Sequence, residues 1–221
     1  MIPEYEAERQ IILDTCLLLQ KMEYFLGTWG NVSLRVNDHI LLTPSRVEYS
    51  TMKPSDVVVI DMEGNKLAGD RNPTSEKEVH RYVYRCRQDI NAVIHAHTSN
   101  AMAVSALEID SVPCLVEEMS QLLGGCIPLT REYIPAAKHA ALGEATGRII
   151  GEHSAIILRN HGPVTCGRNM PEAILCARVV EKACGLYLAV KSSGKAFREI
   201  PPEYVESERY RFIHTYGKEK T

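Results

Sequence analysis

The chain contains 221 residues, of which 45% are hydrophobic and 24% are charged, a composition typical of a globular protein with a full core. Its 25 Lys and Arg residues against 28 Asp and Glu residues give a net charge of −3. That balance excludes the strongly basic field that draws proteins to nucleic acid or to anionic membranes. We therefore expect small-molecule or protein partners, with no nucleic acid and no membrane.

No secretory signal or membrane span is predicted at the N-terminus, because the first residues are acidic and Asp14 interrupts the apolar stretch that follows. The seven cysteines are odd in number, form no Cys-x-x-Cys pair and fall in apolar stretches. They are typical of small buried residues in a reducing compartment. We expect a cytoplasmic location and no cysteine metal site.

Helical and β-like patterns alternate along the chain. Apolar residues recur at helical spacing over residues 4–26, where Gly27 ends the helix. Ser75 is predicted to cap a helix over residues 76–87, with Glu78 completing a capping box. Further helices are predicted over residues 98–107, 135–150, 171–190 and 203–214. Strands are predicted over residues 32–36, 40–42, 57–60, 91–97, 112–116, 126–129, 155–158 and 164–166, with a hairpin turn at residues 63–65.

This alternation, without a Pro/Gly/Ser linker, predicts one α/β domain over residues 1–221. Short turns join many of the strands. We therefore expect a mixed sheet that is mostly antiparallel rather than doubly wound.

Two histidines one residue apart, His95 and His97, end the strand predicted over residues 91–97. Alternation along a β-strand points both imidazoles to one face, about 7 Å apart at the backbone. Two such rings can converge on one metal ion, although a His-x-His pair also occurs in half-buried strands without metal. A third imidazole, His161, lies between Asn160 and Gly162 and is either a further ligand or a polar turn tip.

Glu76 is predicted in the first turn of its helix. A carboxylate there either complements the helix dipole, which is common, or ligates a metal and acts as a base. Thr74 and Ser75, beside the free backbone N–H groups of the helix start, can form an anion pocket. One turn further along the same face lies His80, which is more typical of a surface or core histidine than of a ligand.

Two loops carry small polar donors. Residues 27–33 contain Thr28, Gly30 and Asn31, and residues 43–46 add Ser45 and the cation Arg46. Such loops can hold an oxyanion through N–H, hydroxyl and amide groups, and an arginine can grip a phosphate or carboxylate bidentately. A plain turn explains the composition of both loops equally well.

Six short motifs together resemble the class II aldolase/adducin family, in order and over nearly the whole chain. They are Gly-Thr-x-Gly-Asn-Val-Ser at 27–33, Thr-Pro-Ser at 43–45, Thr-Ser-Glu at 74–76, His-x-His at 95–97, Asn-His-Gly at 160–162 and Thr-Tyr-Gly at 215–217. The resemblance implies a three-layer α/β/α domain with a mostly antiparallel central sheet. It also implies a homotetramer with fourfold symmetry, Zn²⁺-dependent active sites at subunit interfaces, and cleavage of a ketose 1-phosphate to dihydroxyacetone phosphate and an aldehyde.

The resemblance also assigns roles. His95, His97 and His161 would bind one Zn²⁺ per subunit, with another divalent transition metal left open. Glu76 would be the catalytic acid/base and also a ligand when no substrate is bound. The residues that would hold the substrate or its phosphate are Thr28, Gly30, Asn31, Ser45, Arg46, Thr74 and Ser75. Tyr216 matches a tyrosine that the C-terminal tail lends to a neighbouring subunit's site.

Three positions depart from the most similar aldolases of the family. Arg46 replaces a glycine, Trp29 replaces a small residue, and the stretch Val-Glu-Glu-Met at 116–119 lacks a proton-donating tyrosine. We therefore predict Tyr216 as the second proton donor, ahead of Glu117 or Glu118. The alternatives are a sugar-phosphate decarboxylase or dehydratase of the same family, favoured if Arg46 holds a carboxylate, and a non-catalytic adducin-like scaffold.

Overall fold

A seven-stranded sheet forms the centre of the protein in the computed structural model, which describes residues 4–216. The strands in chain order are β1 Asn31–Val36, β2 His39–Leu42, β3 Val58–Asp61, β4 Lys66–Ala68, β5 Ala92–His95, β6 Ser111–Val112, β7 Ile127–Pro128, β8 Ala155–Leu158 and β9 Gly162–Gly167. The order across the large sheet is β4-β3-β2-β1-β5-β9-β8, and every neighbouring pair is antiparallel. Strands β6 and β7 form a separate ribbon.

Helices cover the sheet and its ribbon. They are α1 Glu6–Lys21, α2 Lys77–Cys86, α3 Ser99–Ser105, α4 His139–Ile150, α5 Met170–Ser192 and α6 Pro202–His214. A short 3-10 helix over Pro54–Asp56 and a π-helix over Met119–Leu123 lie in the connections. Among residues 4–216, no helix combines the length and the apolar character that crossing a membrane requires.

Side chains of the sheet alternate between two apolar layers. On one face, β1 and β5 direct Val32 and Ile94 into a core that α1 and the start of α5 complete. On the other face, Val93 of β5 packs into a core that also contains Val79 of α2 and Leu142 of α4. Because successive strand residues point to opposite faces, apolar residues are needed on both. The three-layer α/β/α arrangement is therefore confirmed.

The sheet is more uniformly antiparallel than predicted. Within residues 4–216, the parallel contact is a single bridge between Leu129 and Ile157, which joins the β6–β7 ribbon to the large sheet. The expected mixed sheet is thus mixed at that bridge alone. Short hairpin turns connect three of the six neighbouring pairs, β1–β2, β3–β4 and β8–β9, and such turns join antiparallel strands.

Several boundary predictions were wrong. The strand predicted over residues 91–97 ends at His95, and the helix predicted over residues 135–150 begins at His139. Helix α1 ends at Lys21 rather than near residue 26, since Glu23 adopts a left-handed φ of 61° that a helix cannot continue. Ser75 is not the cap of α2, because the helix starts at Lys77 with Glu76 in the capping position. The side chain that accepts from the first turn is Thr74, whose Oγ1 lies 3.3 Å from the Glu76 backbone nitrogen.

The cysteines are mostly buried, as predicted. Five are buried, Cys126 is half-buried and none of the seven forms a disulfide. Cys86 is exposed at the end of α2, contrary to the expectation for the whole set.

Candidate active site

Three histidines, His95, His97 and His161, converge at one end of the sheet and are called the histidine cluster. His95 is the last residue of β5, His97 follows it by two positions, and His161 lies in the turn between β8 and β9. That turn is tight: Asn160 has a φ of 52°, and a Cβ at Gly162 would lie 2.4 Å from the Ala96 carbonyl oxygen. Glycine is therefore required for the turn to approach β5 this closely.

The rings of the histidine cluster are close enough to share one ion. Their centroids are 4.7 to 5.1 Å apart, and one nitrogen of each ring lies within 4.8 Å of the other two. The Nε2 atoms of His95 and His97 are 3.1 Å apart. Tetrahedral zinc with Zn–N bonds of about 2.0–2.1 Å separates neighbouring ligand atoms by about 3.4 Å. The sequence prediction that three imidazoles converge is thus met in the geometry.

Glu76 adds a carboxylate to the histidine cluster. Its Oε2 lies 3.4 Å from His95 Nε2, and its Oε1 lies 3.3 Å from His161 Nε2. The residue is 8% exposed. Oε1 is buried and accepts no hydrogen bond from any residue of the described range 4–216. An unsatisfied buried carboxylate oxygen is costly, and a cation at this point would satisfy it.

The hydrogen bonds of His95 indicate which of its nitrogens faces the site. Nδ1 lies 3.0 Å from the Pro163 carbonyl oxygen, which only accepts, so Nδ1 carries the proton. In a neutral ring, Nε2 then presents a lone pair toward His97 and Glu76. A backbone carbonyl that fixes the tautomer in this way is typical of metal-binding histidines. The donor set therefore fits a divalent transition metal.

The electrostatics of the site favour neutral rings of His97 and His161 beside an ionised carboxylate. Burial, and then His95, lower the pKa of His97 to about 3 and that of His161 to about 4. Burial by itself raises the pKa of Glu76, but the neighbouring imidazoles and the Asn31 amide outweigh it and lower this pKa to about 2. At physiological pH the carboxylate is thus charged, and the rings of His97 and His161 have free lone pairs.

The residues predicted to hold a phosphate lie on adjoining segments beside Glu76. Backbone hydrogen bonds of 2.9 to 3.0 Å join Ser45 to Asn72 and Thr74 to Thr43, so these segments run side by side. Asn31 begins β1, and its Nδ2 donates to Glu76 Oε2 at 2.8 Å. The predicted residues differ in accessibility: Thr28, Arg46 and Ser75 are exposed, Ser45 is half-buried, and Gly30, Asn31 and Thr74 are buried.

Two of the departures from the family motifs lie at this site or beside it. Trp29, which is 61% exposed, stacks on His97 with ring centroids 6.0 Å apart and an interplanar angle of 23°. Arg46 follows Ser45 and has a left-handed φ of 60°. Its guanidinium has no hydrogen bond or salt bridge to the rest of the described chain, residues 4–216. Sequence reasoning identified both side chains but not the stacking of Trp29.

His80 is not in the histidine cluster. Its ring is fully buried, with Nε2 2.5 Å from Asn31 Oδ1 and Nδ1 2.7 Å from Ser33 Oγ. Ser33 Oγ in turn lies 2.7 Å from the hydroxyl of Tyr84. Sequence reasoning missed these contacts. The one available signal was the spacing of Glu76, His80 and Tyr84 at intervals of four, which places them on one face of a helix.

Tyr216 is not brought to the histidine cluster of its own chain. It is 61% exposed beyond the end of α6, where its ring stacks on Phe212 and lies 5.6 Å from the Arg211 guanidinium. Gly217 of the same terminal motif lies outside the described residues. The weaker candidates for the second proton donor have other partners, since Glu117 contacts Gln121 and Glu118 pairs with Lys182.

Comparison with known proteins assigns a family to this arrangement. Residues 10–188 match the family described as Class II Aldolase and Adducin N-terminal domain. An L-fuculose phosphate aldolase of Haemophilus influenzae is 35% identical over 215 residues, which are 94% of each chain. A 5-deoxy-D-ribulose 1-phosphate aldolase of Bacillus thuringiensis is 30% identical over 197 residues, which are 87% of this chain and 89% of that protein.

A solved structure shares the fold. This structure, an L-fuculose 1-phosphate aldolase, superposes with a TM-score of 0.87 at 28% sequence identity and covers 94% of this chain and 96% of its own. The matches therefore extend over the sheet, the helices and the segments that form the candidate site.

We expect metal binding at the histidine cluster to change the fluorescence of Trp29, because it is the only tryptophan of the chain and its indole stacks on His97. Titrating metal-free protein with Zn²⁺ should shift the emission and saturate at one equivalent. His161→Ala removes one of the three candidate nitrogen ligands and should weaken zinc binding by more than about 100-fold, because losing a residue that only supports a ligand already costs about 10–100-fold.

The matched control is His139→Ala, which removes an exposed histidine of α4 and should leave the titration unchanged. Equal metal affinity in the His161→Ala and His139→Ala proteins would contradict the metal site. Absence of any stoichiometric divalent ion in the unmodified protein would favour the non-catalytic scaffold.

Proposed function

This chain belongs to the class II aldolase and adducin family, and we propose that it cleaves a ketose 1-phosphate to dihydroxyacetone phosphate and an aldehyde. The substrate is L-fuculose 1-phosphate or a related deoxy-ketose phosphate, in keeping with the substrates that the names of its relatives give. The observation that carries the proposal is the convergence of three imidazoles on the ionised, buried carboxylate of Glu76.

The metal of this proposal is Zn²⁺, bound by His95, His97 and His161. Three neutral imidazoles with an open fourth position are typical of catalytic rather than structural zinc. The chemistry that such an ion supplies when bound is Lewis-acid stabilisation of the negative charge that develops on the substrate oxygens.

Glu76 is the proposed acid/base. In the direction of synthesis, its carboxylate takes a proton from the hydroxymethyl carbon of dihydroxyacetone phosphate. In the direction of cleavage, it returns that proton to the carbon from which the aldehyde has departed. The low pKa of the carboxyl group keeps it in the ionised form that this first step needs. Its hydrogen bond from Asn31 holds one oxygen, so the other is directed toward the histidine cluster.

Glu76→Gln should lower kcat by about 10²–10⁴-fold, the usual contribution of a positioned acid/base. The amide preserves the shape of the side chain but cannot accept a proton from carbon. A coupled assay for released dihydroxyacetone phosphate measures the rate, and zinc analysis of the same sample should still find one ion per subunit. The control is Glu144→Gln on the exposed surface of α4. A fully active Glu76→Gln protein would refute the assignment.

Arg46 is the residue proposed to recognise the anionic group of the substrate. Its side chain is exposed and unpaired within residues 4–216, and it follows the segment that runs beside Thr74. A left-handed backbone costs a non-glycine residue about 1–2 kcal/mol. A residue that keeps such a conformation at a substrate site suggests a functional use of the side chain. This observation also supports the second candidate, a decarboxylase or dehydratase whose substrate carboxylate Arg46 would hold.

Arg46→Gly should raise KM for a ketose 1-phosphate by about 10-fold, in line with the loss of one charge-assisted hydrogen bond. The melting temperature should stay equal or rise, because glycine adopts a positive φ without strain. Arg46→Lys retains the charge and should have an intermediate KM. A much larger effect on a carboxylated sugar phosphate would favour the decarboxylase, and unchanged KM values for both substrate classes would contradict any role of Arg46.

Tyr216 is the proposed second proton donor, acting on the aldehyde oxygen as the carbon–carbon bond forms. Its exposed position and its distance in sequence from the cluster fit a residue that serves a neighbouring subunit. We therefore include in the proposal a homotetramer with active sites at its subunit interfaces. Closed symmetric assemblies of this kind repeat one interface at every site.

Mixing two inactive variants should restore activity if Tyr216 acts in a neighbouring subunit. Glu76→Gln and Tyr216→Phe proteins are each expected to be poorly active, and refolding them together creates sites that pair an intact Glu76 with an intact Tyr216 from another chain. The mixture should exceed the sum of the separate rates in the dihydroxyacetone phosphate assay. A Tyr216→Phe protein with an unchanged rate, or a mixture without gain, would contradict the shared site.

A further inference from the structure

A buried hydrogen-bond chain runs from the core to Glu76. It consists of Tyr84, Ser33, His80, Asn31 and Glu76, all of them at most 8% exposed. Its four links, in that order, measure 2.7, 2.7, 2.5 and 2.8 Å. Two residues of β1 alternate along it with two residues of α2 and with Glu76, which precedes α2, because α2 lies over the face of β1 that carries Asn31 and Ser33.

The carboxylate of Glu76, at the end of the buried hydrogen-bond chain, determines which group donates in each link. Ionised Glu76 only accepts, so the Asn31 group that faces it is the NH₂ donor. The Asn31 oxygen then faces His80, whose Nε2 must carry a proton to donate to it. The amide orientation and the ring tautomer, which heavy-atom positions alone leave ambiguous, thus follow from the charge of Glu76.

The rest of the buried hydrogen-bond chain follows in the same way. Burial lowers the pKa of His80 to about 3, so the ring is neutral and its Nδ1 accepts. Ser33 donates its single hydroxyl proton to Nδ1 and accepts from Tyr84. The Tyr84 hydroxyl also lies 3.5 Å from the Asn91 carbonyl oxygen, a much longer contact than its 2.7 Å link to Ser33. Every donor therefore points toward Glu76.

We propose that His80 is a positioning residue that locks the Asn31 amide with both of its N–H groups facing the site. One N–H then holds Glu76 Oε2, and no residue of the described chain, residues 4–216, accepts the other, which is available to an anionic group of the substrate. This inference rests on the role proposed for Glu76. A flipped Asn31 would turn its oxygen toward the carboxylate, which repels it, and would withdraw both donors.

The tautomer of His80 provides a test that needs no enzymatic activity. In the zinc-loaded protein, long-range ¹H–¹⁵N spectra should show a protonated Nε2 and an unprotonated Nδ1 for His80. The resonances can be assigned by their loss in His80→Gln. A proton on Nδ1, or a charged ring at neutral pH, would overturn the proposal whatever reaction the protein catalyses.

Four variants test the consequence for catalysis. His80→Phe removes both links of the ring and should lower kcat by about 10–100-fold, the range for losing a hydrogen bond that supports a charged group. Ser33→Ala should have a smaller effect on kcat, and Tyr84→Phe the smallest, because each removes a link further from Glu76. His80→Gln supplies a donor and an acceptor from one side chain and should recover part of the loss.

A purely structural role of His80, Ser33 and Tyr84 predicts a different pattern of kcat values. Each variant leaves a buried polar group unpaired. The loss of kcat would then follow the loss of melting temperature and not the position of the residue along the buried hydrogen-bond chain. That result, or an unaltered kcat in a folded His80→Phe protein, would overturn the proposal. Full activity of Glu76→Gln would instead refute the proposed function, and the His80 tautomer measurement would still decide the orientation of the buried hydrogen-bond chain.

Discussion

The antiparallel register of β1 against β5 is the constraint on which the rest of the site depends. It pairs Asn31 directly with His95, and both side chains point to the face that α2 covers. Opposite residues of such a pair lie about 4.5–5.5 Å apart at Cβ, so the amide, the imidazole and the start of α2 share one small space. A slip of one residue would turn Asn31 to the opposite face, away from Glu76 and His80. The sheet thereby fixes the distances between groups that are remote in sequence.

The site brings together nitrogen and oxygen atoms that can accept a hydrogen bond or bind a cation. Glu76 Oε1 is buried without a hydrogen bond among the described residues, and the Nε2 atoms of His95 and His97 face each other at 3.1 Å. Lone pairs held this close destabilise the protein unless a cation or a proton lies between them. The hydrogen bond from His95 Nδ1 to the Pro163 carbonyl oxygen and the one from Asn31 to Glu76 hold this arrangement in place. We infer that the surrounding core supplies the stability that such a site costs, and that a bound cation returns part of it.

Burial separates the groups proposed to perform the chemistry from those proposed to select the substrate. Glu76, His95 and the buried hydrogen-bond chain are enclosed between α2 and the sheet, where small displacements are resisted by packing. Trp29 and Arg46, in contrast, are exposed on loops at the edge of the site. Loops carried by a rigid sheet tolerate substitution more readily than the elements they connect. The two departures from the family motifs therefore lie where a substitution leaves the packing around the proposed acid/base undisturbed.

The sequence by itself determined the elements and the residue types of the site. Strand alternation predicts His95 and His97 on one face, helical spacing aligns Glu76, His80 and Tyr84, and the family motifs add His161. These signals are local, so they need no knowledge of the fold. Only the tertiary structure decided that Thr74 rather than Ser75 serves the start of α2, that His80 supports Asn31 instead of a metal, and that Trp29 stacks on His97. His80 and Asn31 are 49 residues apart in the chain. Contacts of that kind depend on strand register and on how a helix sits on a sheet, and neither is encoded in any short segment.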